Sequence, residues 1–355
     1  MNVADMVSTT RRSAGLFDMT HRGLLEVRGG DRVRWLDGMI SRDVEALEKA
    51  ESGAGCYAVL LTNRGAIVAD LHVARLGDVF LLETLRSEVA NVRRTLERFI
   101  IADDVELLDR SDDFVAIGLE GPGARELMGK LAGPEVTELD EEAWVETEIA
   151  GIEVLVAAFG YTGEVGFQIR MKPEGRRVVE EALVAAANPG EAVAGIGDSI
   201  VRADFEALEI LRVEAGIPML GRELDEQVLP PEAQLDRAIS TDKGCYVGQE
   251  IVARLRARGQ VNHLLVGFRL DSSELPAIDS RLSSGGRATG EFTSIALSPT
   301  EGPIALGYVR REHSEIGTRV EFEGGHATVV SLPFVSGGAR QGLDDVGEDR
   351  ARDPS

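Results

Sequence analysis

The stretch K-G-C-Y-V-G-Q-E at residues 243–250 combines two glycines, a lysine and one of the chain's 2 cysteines. Gly244 and Gly248 permit tight backbone turns that a Cβ would block, which is typical of a loop leading into a helix. Apolar residues follow at helical spacing, at Ile251, Val252 and Leu255. We therefore predict a loop that runs directly into a helix.

The same stretch predicts a reactive thiol. The unpaired amides and the macrodipole at a helix N-terminus favour an anion, and Lys243 adds a positive charge next to Cys245. A thiolate should then form more easily than in a free cysteine, which makes Cys245 a candidate nucleophile and Lys243 its activator. The alternative is a small apolar cysteine that fills a loop corner, because free cysteine is commonly buried.

Length and composition restrict the class of protein. The chain has 355 residues with 43% hydrophobic content, enough for two or three compact units. It has no apolar run long enough to span a membrane, and its N-terminus lacks the apolar core of a signal peptide, so we expect a cytoplasmic protein. A net charge of −23 argues against non-specific binding to nucleic acid or to anionic membranes.

Metal and nucleotide sites have no support in the sequence. Cys56 and Cys245 are far apart, and the 5 histidines are scattered without the i, i+4 spacing of a helical metal site. We therefore predict no bound metal and interpret most histidines as structural. The glycine pairs form neither a dinucleotide-binding fingerprint nor a phosphate-binding loop.

Three segments together carry a family resemblance. The octapeptide at residues 243–250, L-R-V-E-A-G-I-P at 211–218 and L-P-P-E-A at 229–233 resemble the YgfZ-type folate-binding proteins. These proteins are relatives of the glycine-cleavage T-protein, an aminomethyltransferase that uses tetrahydrofolate. The likeness extends from about residue 15 to residue 334. It implies an α+β fold, with a T-protein-like body of mixed sheets and helices and a small C-terminal β-barrel.

Local patterns agree with this organisation. We predict a body over residues 1–258, a barrel over 262–335 with several short strands, and a disordered acidic tail over 336–355. In the body, strands at 57–61 and 66–73 flank a T-N-R-G turn. Helical spacing predicts helices at 87–100, 175–187 and 200–213, and the acidic residues 140–144 read as a surface linker.

The resemblance also implies a folate site with an acid at a strand end. Asp70 matches the catalytic aspartate of the transferases, whereas Ala69 stands where they carry a second acid. A carboxylate there can hydrogen-bond a folate nitrogen and guide proton transfer. The alternative role for Asp70 is to cap a turn.

Two further segments match the transferases in part. Tyr161, Glu164 and Gln168 belong to a Y-T-G-E-x-G-x-E-like stretch whose final acid is here Gln168, an amide that retains hydrogen bonding without charge. Glu164 could equally lie on a solvated turn. Arg212 matches one family arginine, but Leu208 stands where the transferases carry another, which removes a strong contact with the folate tail.

These observations lead to a functional prediction with alternatives. The main one is a tetrahydrofolate-binding protein that supports iron–sulfur protein assembly or repair through Cys245, with folate and iron–sulfur client proteins as partners. Asp70, Tyr161, Glu164, Gln168, Arg212, Gly244 and Gln249 would bind the cofactor. The alternative is a tetrahydrofolate-dependent aminomethyl or methyl transferase with Asp70 as the key acid, and a third possibility is a scaffold that no longer binds folate. Whether the protein is an enzyme stays open at this point.

Overall fold

The computed structural model describes residues 1–187, 200–259, 261–272 and 274–337. In the body, the elements in chain order are α1 (Val3–Arg12), β1 (Ala14–Asp18), β2 (Arg22–Arg28), α2 (Arg32–Asp37), α3 (Val44–Lys49), β3 (Gly55–Leu61), β4 (Ile67–Leu76), β5 (Val79–Leu85), α4 (Val89–Glu97), β6 (Glu106–Asp109), β7 (Val115–Glu120), α5 (Ala124–Ala132), α6 (Pro134–Thr137), β8 (Trp144–Ile149), β9 (Ile152–Ala157), β10 (Gly166–Met171), α7 (Arg176–Ala187), β11 (Ile200–Ala203), α8 (Phe205–Glu214) and α9 (Gln249–Arg258). The C-terminal strands are β12 (His263–Asp271), β13 (Arg281–Ser284), β14 (Arg287–Ser298), β15 (Gly302–Arg310), β16 (Arg319–Phe322) and β17 (Gly325–Val330).

Two sheets form the body. One has the strand order β3-β4-β5-β2-β6, and the other has the order β11-β1-β7-β10-β9-β8. The first sheet shares a core with α2, α3 and α4, while the second packs against α5, α6 and α7. Apolar residues from both sheets meet in a smaller cluster that includes Leu24, Trp144 and Phe159.

The C-terminal strands close into a barrel in the order β12-β15-β14-β13-β16-β17. Three aromatic rings, Phe268, Phe292 and Phe322, pack edge to face inside it. The outer surface of the barrel packs on α8 and α1 through Leu265, Ile304 and neighbouring side chains. The predicted α+β body with a small C-terminal barrel is thus confirmed.

Helix α8 places functional side chains and begins later than predicted. The pattern at 200–213 predicted one helix, but residues 200–203 form β11, which pairs in parallel with β1. Asp204 separates the two elements because its carboxylate accepts a hydrogen bond from the amide of Ala207 and so caps the helix.

One other local prediction needs correction. Residues 140–144 were predicted as an exposed linker, but Trp144 begins β8 and is only 1% exposed. It is buried because Phe159 packs near its ring and the Arg170 guanidinium lies over it. The N-terminal helix α1 was not predicted. The predicted tail at 336–355 lies outside the described residues from 338 onward.

Helix α9 ends at Arg258 and the barrel begins at His263. Among the described helices, none has the length and apolar character that crossing a membrane requires.

Candidate active site

A narrow cleft lies where β4, the start of β2, the loop after β9 and helix α8 come together. Its polar lining consists of His21, Arg22, Asp70, Tyr161, Glu209 and Arg212. Apolar side chains complete the wall, among them Phe205, Leu208 and Met219. This combination of an apolar wall with a few converging polar groups is typical of small-molecule sites.

Asp70 presents a free acceptor to the cleft. It lies in the middle of β4 and is only 5% exposed. Its Oδ2 accepts a hydrogen bond from the Tyr57 hydroxyl at 3.2 Å, while its Oδ1 has no hydrogen-bond partner among the described residues. Burial, and then the negative charge of Asp70, raise the pKa of Tyr57, so this phenol stays protonated and donates. Since an unpaired buried carboxylate oxygen is costly, it marks a place where a ligand donor would be stabilising.

Arg22 presents a free donor to the same cleft. Its Nε donates to Glu83 Oε1 at 3.0 Å, and its guanidinium carbon lies 5.1 Å from the centre of the Tyr161 ring. Its Nη2 has no hydrogen-bond partner in the described part of the chain. The Tyr161 hydroxyl donates to the same Glu83 oxygen at 3.2 Å, which fixes the aromatic ring in the cleft wall.

The charges behind this wall are tightly buried. Glu83 also pairs with Arg170, so one fully buried carboxylate faces two guanidinium groups. Burial, with repulsion from Arg22, lowers the pKa of Arg170 to about 9. His21, at the cleft edge, has its pKa lowered to about 4, mainly by burial and then by Arg22. The imidazole is therefore neutral at physiological pH and can accept as well as donate a hydrogen bond.

Helix α8 contributes Arg212 and Glu209, one turn apart. Arg212 donates from Nε and Nη2 to the two carboxylate oxygens of Glu209 at 2.9 and 3.1 Å. It also donates to Glu223, to the Ile217 carbonyl and to the Ser294 hydroxyl. Burial alone would lower the pKa of Arg212, but Glu223 and Glu209 raise it. Arg212 therefore stays charged, and these partners hold it as part of the cleft wall.

Gln168 lies beneath the cleft wall. It is fully buried on β10, and its Nε2 donates to Glu120 Oε1 at 3.1 Å. The other Glu120 oxygen accepts hydrogen bonds from the backbone amides of Tyr161 and Thr162 at 2.8 and 2.9 Å. Gln168 therefore supports the loop that carries Tyr161, and it is not among the side chains that line the cleft.

Glu164 lies on the far side of that loop. It is buried and pairs with Arg11 of α1 at 2.9 Å, so the solvated turn considered as an alternative is wrong. Arg11 also donates to the Thr162 carbonyl at 2.9 Å and to Glu214 of α8 at 2.8 Å. Glu164 thus joins the Tyr161 loop to α1 and α8.

The octapeptide forms the predicted loop and helix start, with Gly248 in the left-handed region at φ 83° just before α9. Its electrostatics differ from the prediction. The Lys243 side chain is buried, and its Nζ donates to Asp37 Oδ1 at 3.0 Å and to the carbonyls of Asp37, Ile40 and Arg42 at 2.6–3.0 Å. The prediction that Lys243 activates Cys245 is therefore corrected, because these four oxygens use the three donors of the ammonium group.

Cys245 itself is exposed, which excludes the buried loop-corner alternative. It is not among the residues that line the cleft. Gly244 is also exposed, and the Gln249 side chain accepts a hydrogen bond from the Tyr246 amide at 3.3 Å within the loop. Within the described residues, no group of three or more His, Cys, Asp or Glu could hold a metal ion.

The structure thus brings together three of the predicted site residues, Asp70, Tyr161 and Arg212. Sequence reasoning missed the polar lining residues His21, Arg22 and Glu209. Glu209 had a local signal, since it stands three residues before Arg212 on one helix face. His21 and Arg22 had none, because a strand start gives no indication of which distant residues it will face.

Comparison with known proteins gives matches along nearly the whole chain. Residues 2–243 match the family described as GCVT N-terminal domain, and residues 264–336 match the glycine cleavage T-protein C-terminal barrel domain. Among curated proteins, the chain is 33% identical over 335 residues to an aminomethyltransferase of Saccharopolyspora erythraea, covering 92% of this chain and 88% of the relative. It is 35% identical over 331 residues to an aminomethyltransferase of Rubrobacter xylanophilus, covering 91% and 84%.

A solved structure agrees with these matches. The glycine cleavage system aminomethyltransferase T of Bartonella henselae superposes with a TM-score of 0.82 at 26% identity. The alignment covers 94% of this chain and 90% of that structure.

Proposed function

Because the chain belongs to the glycine-cleavage T-protein family, we propose that it is a tetrahydrofolate-dependent aminomethyltransferase with Asp70 as its key acid–base group. The family uses tetrahydrofolate, which confirms the cofactor class expected from the sequence. The observation that supports the role of Asp70 is its buried carboxylate, with one oxygen held by Tyr57 and the other free to accept in the cleft.

The main function predicted from the octapeptide is wrong. Relatives that are 33% and 35% identical over most of the chain carry the name aminomethyltransferase, and so does the matching solved structure. These findings favour the transferase alternative over a role in iron–sulfur protein assembly. Neither a client protein of that kind nor a catalytic role for Cys245 in such an assembly has support.

The cleft residues fit the chemical groups of a reduced pterin. A pterin presents hydrogen-bond donors and acceptors on one planar edge, and the cleft offers an unpaired acceptor on Asp70 and an unpaired donor on Arg22. The Tyr161 and Phe205 rings supply apolar surface for a planar ligand. Leu208, where the transferases carry an arginine, leaves fewer charged contacts for the tail of the ligand.

Asp70 is placed for proton transfer. Tetrahydrofolate, when bound, supplies the nitrogen atoms that accept the one-carbon unit. Asp70 Oδ1 would accept a hydrogen bond from a ligand N–H, and Tyr57 would hold the carboxylate in position through Oδ2. Asp70 is only 5% exposed, so a hydrogen bond to this oxygen would form in a setting of low dielectric, which strengthens it. Positioned acid–base groups of this kind contribute about 10²–10⁴-fold in rate.

The test is Asp70→Asn, which preserves shape and the acceptor for Tyr57 but removes the charge. We expect aminomethyl transfer to tetrahydrofolate to fall by about 10²-fold or more. Titration calorimetry should still detect tetrahydrofolate, with weaker affinity. Cys245→Ala is the matched control, since this residue is exposed and does not line the cleft; it should retain full activity.

Two results would contradict the proposal. Equal activity of Asp70→Asn and the unmodified protein would remove Asp70 from the chemistry. An absence of both binding heat and thermal stabilisation with tetrahydrofolate would instead indicate the non-binding scaffold.

We also infer a finer relationship from the octapeptide alone, which supports the YgfZ-type branch within this family. Cys245 is exposed and does not line the cleft, so this relationship leaves the expected full activity of Cys245→Ala unchanged.

A further inference from the structure

A second cleft, larger than the first, lies between the segment 222–232 and the outer face of the barrel, with about 1090 Å³ of open space. Glu223 separates the two clefts. Its carboxylate accepts from Arg212 on one side and from the Thr293 and Ser294 hydroxyls of β14 on the other. Arg212 lines the first cleft and Thr293 lines the second. The second cleft is therefore a separate site, and nothing in the proposed transferase chemistry uses it.

The barrel side of this cleft is built from four adjacent strands. His263 of β12 pairs with Arg310 of β15, Tyr308 of β15 pairs with Glu291 of β14, and Glu291 pairs with Arg281 of β13. All of these side chains line the cleft. Because directly paired residues project from the same face of a sheet, the register brings them together across the strands.

Thr289 lies at an irregularity in this sheet. Leu282 pairs with Gly290 and Ser283 pairs with Ala288, so Thr289 of β14 is the extra residue of a β-bulge. Bulges redirect side chains and are frequent next to functional sites. Thr289 is 2% exposed, lines the cleft, and its hydroxyl has no hydrogen-bond partner among the described residues. A buried hydroxyl of this kind costs free energy unless something bonds to it.

Three arginines in the cleft also lack partners. The side chains of Arg222, Arg281 and Arg310 make neither a hydrogen bond nor an ion pair within the described residues. Arg222 is half-buried, whereas Arg281 and Arg310 are exposed, so all three guanidinium groups are available to a ligand in the cleft.

The acidic residues of the cleft leave these guanidinium groups available. Asp225 accepts a hydrogen bond from the Gln227 amide, and Glu232 accepts one from the Leu229 amide. Both carboxylates are thereby held to their own segment. Glu291 is exposed and lies between Arg281 and Tyr308 without forming an ion pair in the described structure.

We propose that this cleft binds an oxyanion, carried by a phosphate or polycarboxylate group, with Arg281 and Arg310 as charged donors and the Thr289 hydroxyl as the neutral donor. Guanidinium groups present paired N–H donors that match carboxylate and phosphate oxygens. The site is independent of the proposed transferase chemistry, because no residue of the first cleft lines it.

The test uses inorganic phosphate and citrate as probes with the full-length protein. Each is titrated at constant ionic strength, balanced with sodium chloride, and the thermal midpoint and the binding heat are recorded. We expect the binding heat to saturate and the thermal midpoint to rise with the logarithm of probe concentration, since a ligand that binds only the folded state stabilises it by RT ln(1 + [L]/Kd). Arg281→Ala and Arg310→Ala should each weaken binding by about tenfold, which corresponds to one charge-assisted hydrogen bond.

Two variants make the result specific. Arg98→Ala removes the same charge from an exposed position that does not line this cleft and should change the affinity less than about twofold. Thr289→Val removes only the unpaired hydroxyl, so the protein without phosphate should be as stable as before or more stable, while phosphate binding weakens.

The relative affinities for the two probes distinguish the two classes of ligand. Tighter binding of phosphate identifies a phosphate-bearing ligand, and tighter binding of citrate identifies a polycarboxylate; either supports the proposal. The proposal is overturned if neither probe binds saturably, or if Arg98→Ala weakens binding as much as Arg281→Ala does.

Discussion

Replacing Arg11 should destabilise the protein strongly although this residue lies near the N-terminus. Arg11 donates from Nε and Nη2 to Glu214 Oε2 at 3.1 and 2.8 Å. Its Nη1 donates to Glu164 Oε1 and to the Thr162 carbonyl, each at 2.9 Å. Its Nη2 also donates to the Leu211 carbonyl at 3.3 Å. The guanidinium thereby ties α1 to both the Tyr161 loop and α8, which form two walls of the first cleft.

The magnitude follows from the burial of its partners. The side chains of Glu164 and Glu214 are 6% and 1% exposed, against 14% for Arg11. Arg11→Met removes this cation from its contacts with two buried carboxylates, and breaking a buried pair in this way costs about 3–5 kcal/mol. Glu214 keeps its hydrogen bond from Ser298, so we expect a loss near the lower end, about 3 kcal/mol. Arg11→Lys keeps the charge but has fewer hydrogen-bond donors, and should lose about half as much unfolding free energy as Arg11→Met.

Urea unfolding measures this loss as a change in the free energy of unfolding. Arg12→Met is the matched control, because Arg12 lies in the same last turn of α1 but is exposed. It should change stability by less than about 0.5 kcal/mol. If Arg11→Met loses less than about 1 kcal/mol, or no more than Arg12→Met, then the buried network does not hold the helix to the cleft walls.

Two further predictions concern buried charges. Burial raises the pKa of Glu120 despite the hydrogen bonds from Thr162, Tyr161 and Gln168 that lower it, so the folded state binds this proton more tightly than the unfolded state. The contribution of Glu120 to stability must then be largest below the unfolded pKa near 4.5 and must decline as pH rises through the raised folded value. Glu120→Gln should remove that decline when urea unfolding is measured across this pH range. A pH profile of stability that is unchanged in the variant would contradict this prediction. Lys243→Met should lose about 3 kcal/mol of unfolding free energy, because it replaces a buried ammonium group that has four oxygen partners. Cys245→Ala, in the same loop, should lose less than about 0.5 kcal/mol because this residue is exposed. Similar losses in the two variants would show that the loop does not depend on Lys243.

Local periodicity was sufficient to predict several helices and strands of the body, whereas the fold class came from the family resemblance. The T-N-R-G turn lies between β3 and β4, where the Gly65 amide donates to the Thr62 carbonyl at 2.9 Å and Gly65 has a φ of 79°. The helix predicted at 87–100 corresponds to α4 with a short 3₁₀ turn before it. These elements are determined by residues close in sequence, so their signals survive without tertiary information.

Predictions failed where a tertiary contact decided the structure. Residues 200–203 have apolar and polar positions that suit either a helix or a strand, and the partner that makes them a strand, β1, lies far away in sequence. Trp144 follows a run of acids that reads as surface, yet its ring is covered by Arg170. In both cases, the observed structure depends on contacts with parts of the chain that come close only in the folded protein.

The same limit explains the site. Three of the six polar side chains that line the first cleft were found because a family resemblance placed them, and the other three, His21, Arg22 and Glu209, come from segments without a motif. The role of Arg22 depends on its orphaned Nη2, which can be recognised only when every neighbouring donor and acceptor has been assigned. A sequence identifies residue types, but it does not show which of their atoms remain free.

The octapeptide shows why adjacency along the chain is a weak guide to electrostatics. Lys243 and Cys245 are two residues apart, and that proximity suggested an ion pair. In the folded chain the ammonium group is directed at Asp37 and at carbonyls more than two hundred positions earlier, while the thiol is exposed to solvent. Four oxygens lie within 3.0 Å of Lys243 Nζ, and one of them belongs to the Asp37 carboxylate, whose negative charge offsets that of the ammonium group. The lysine of this motif therefore holds the loop in place, and the exposed Cys245 is not part of that network.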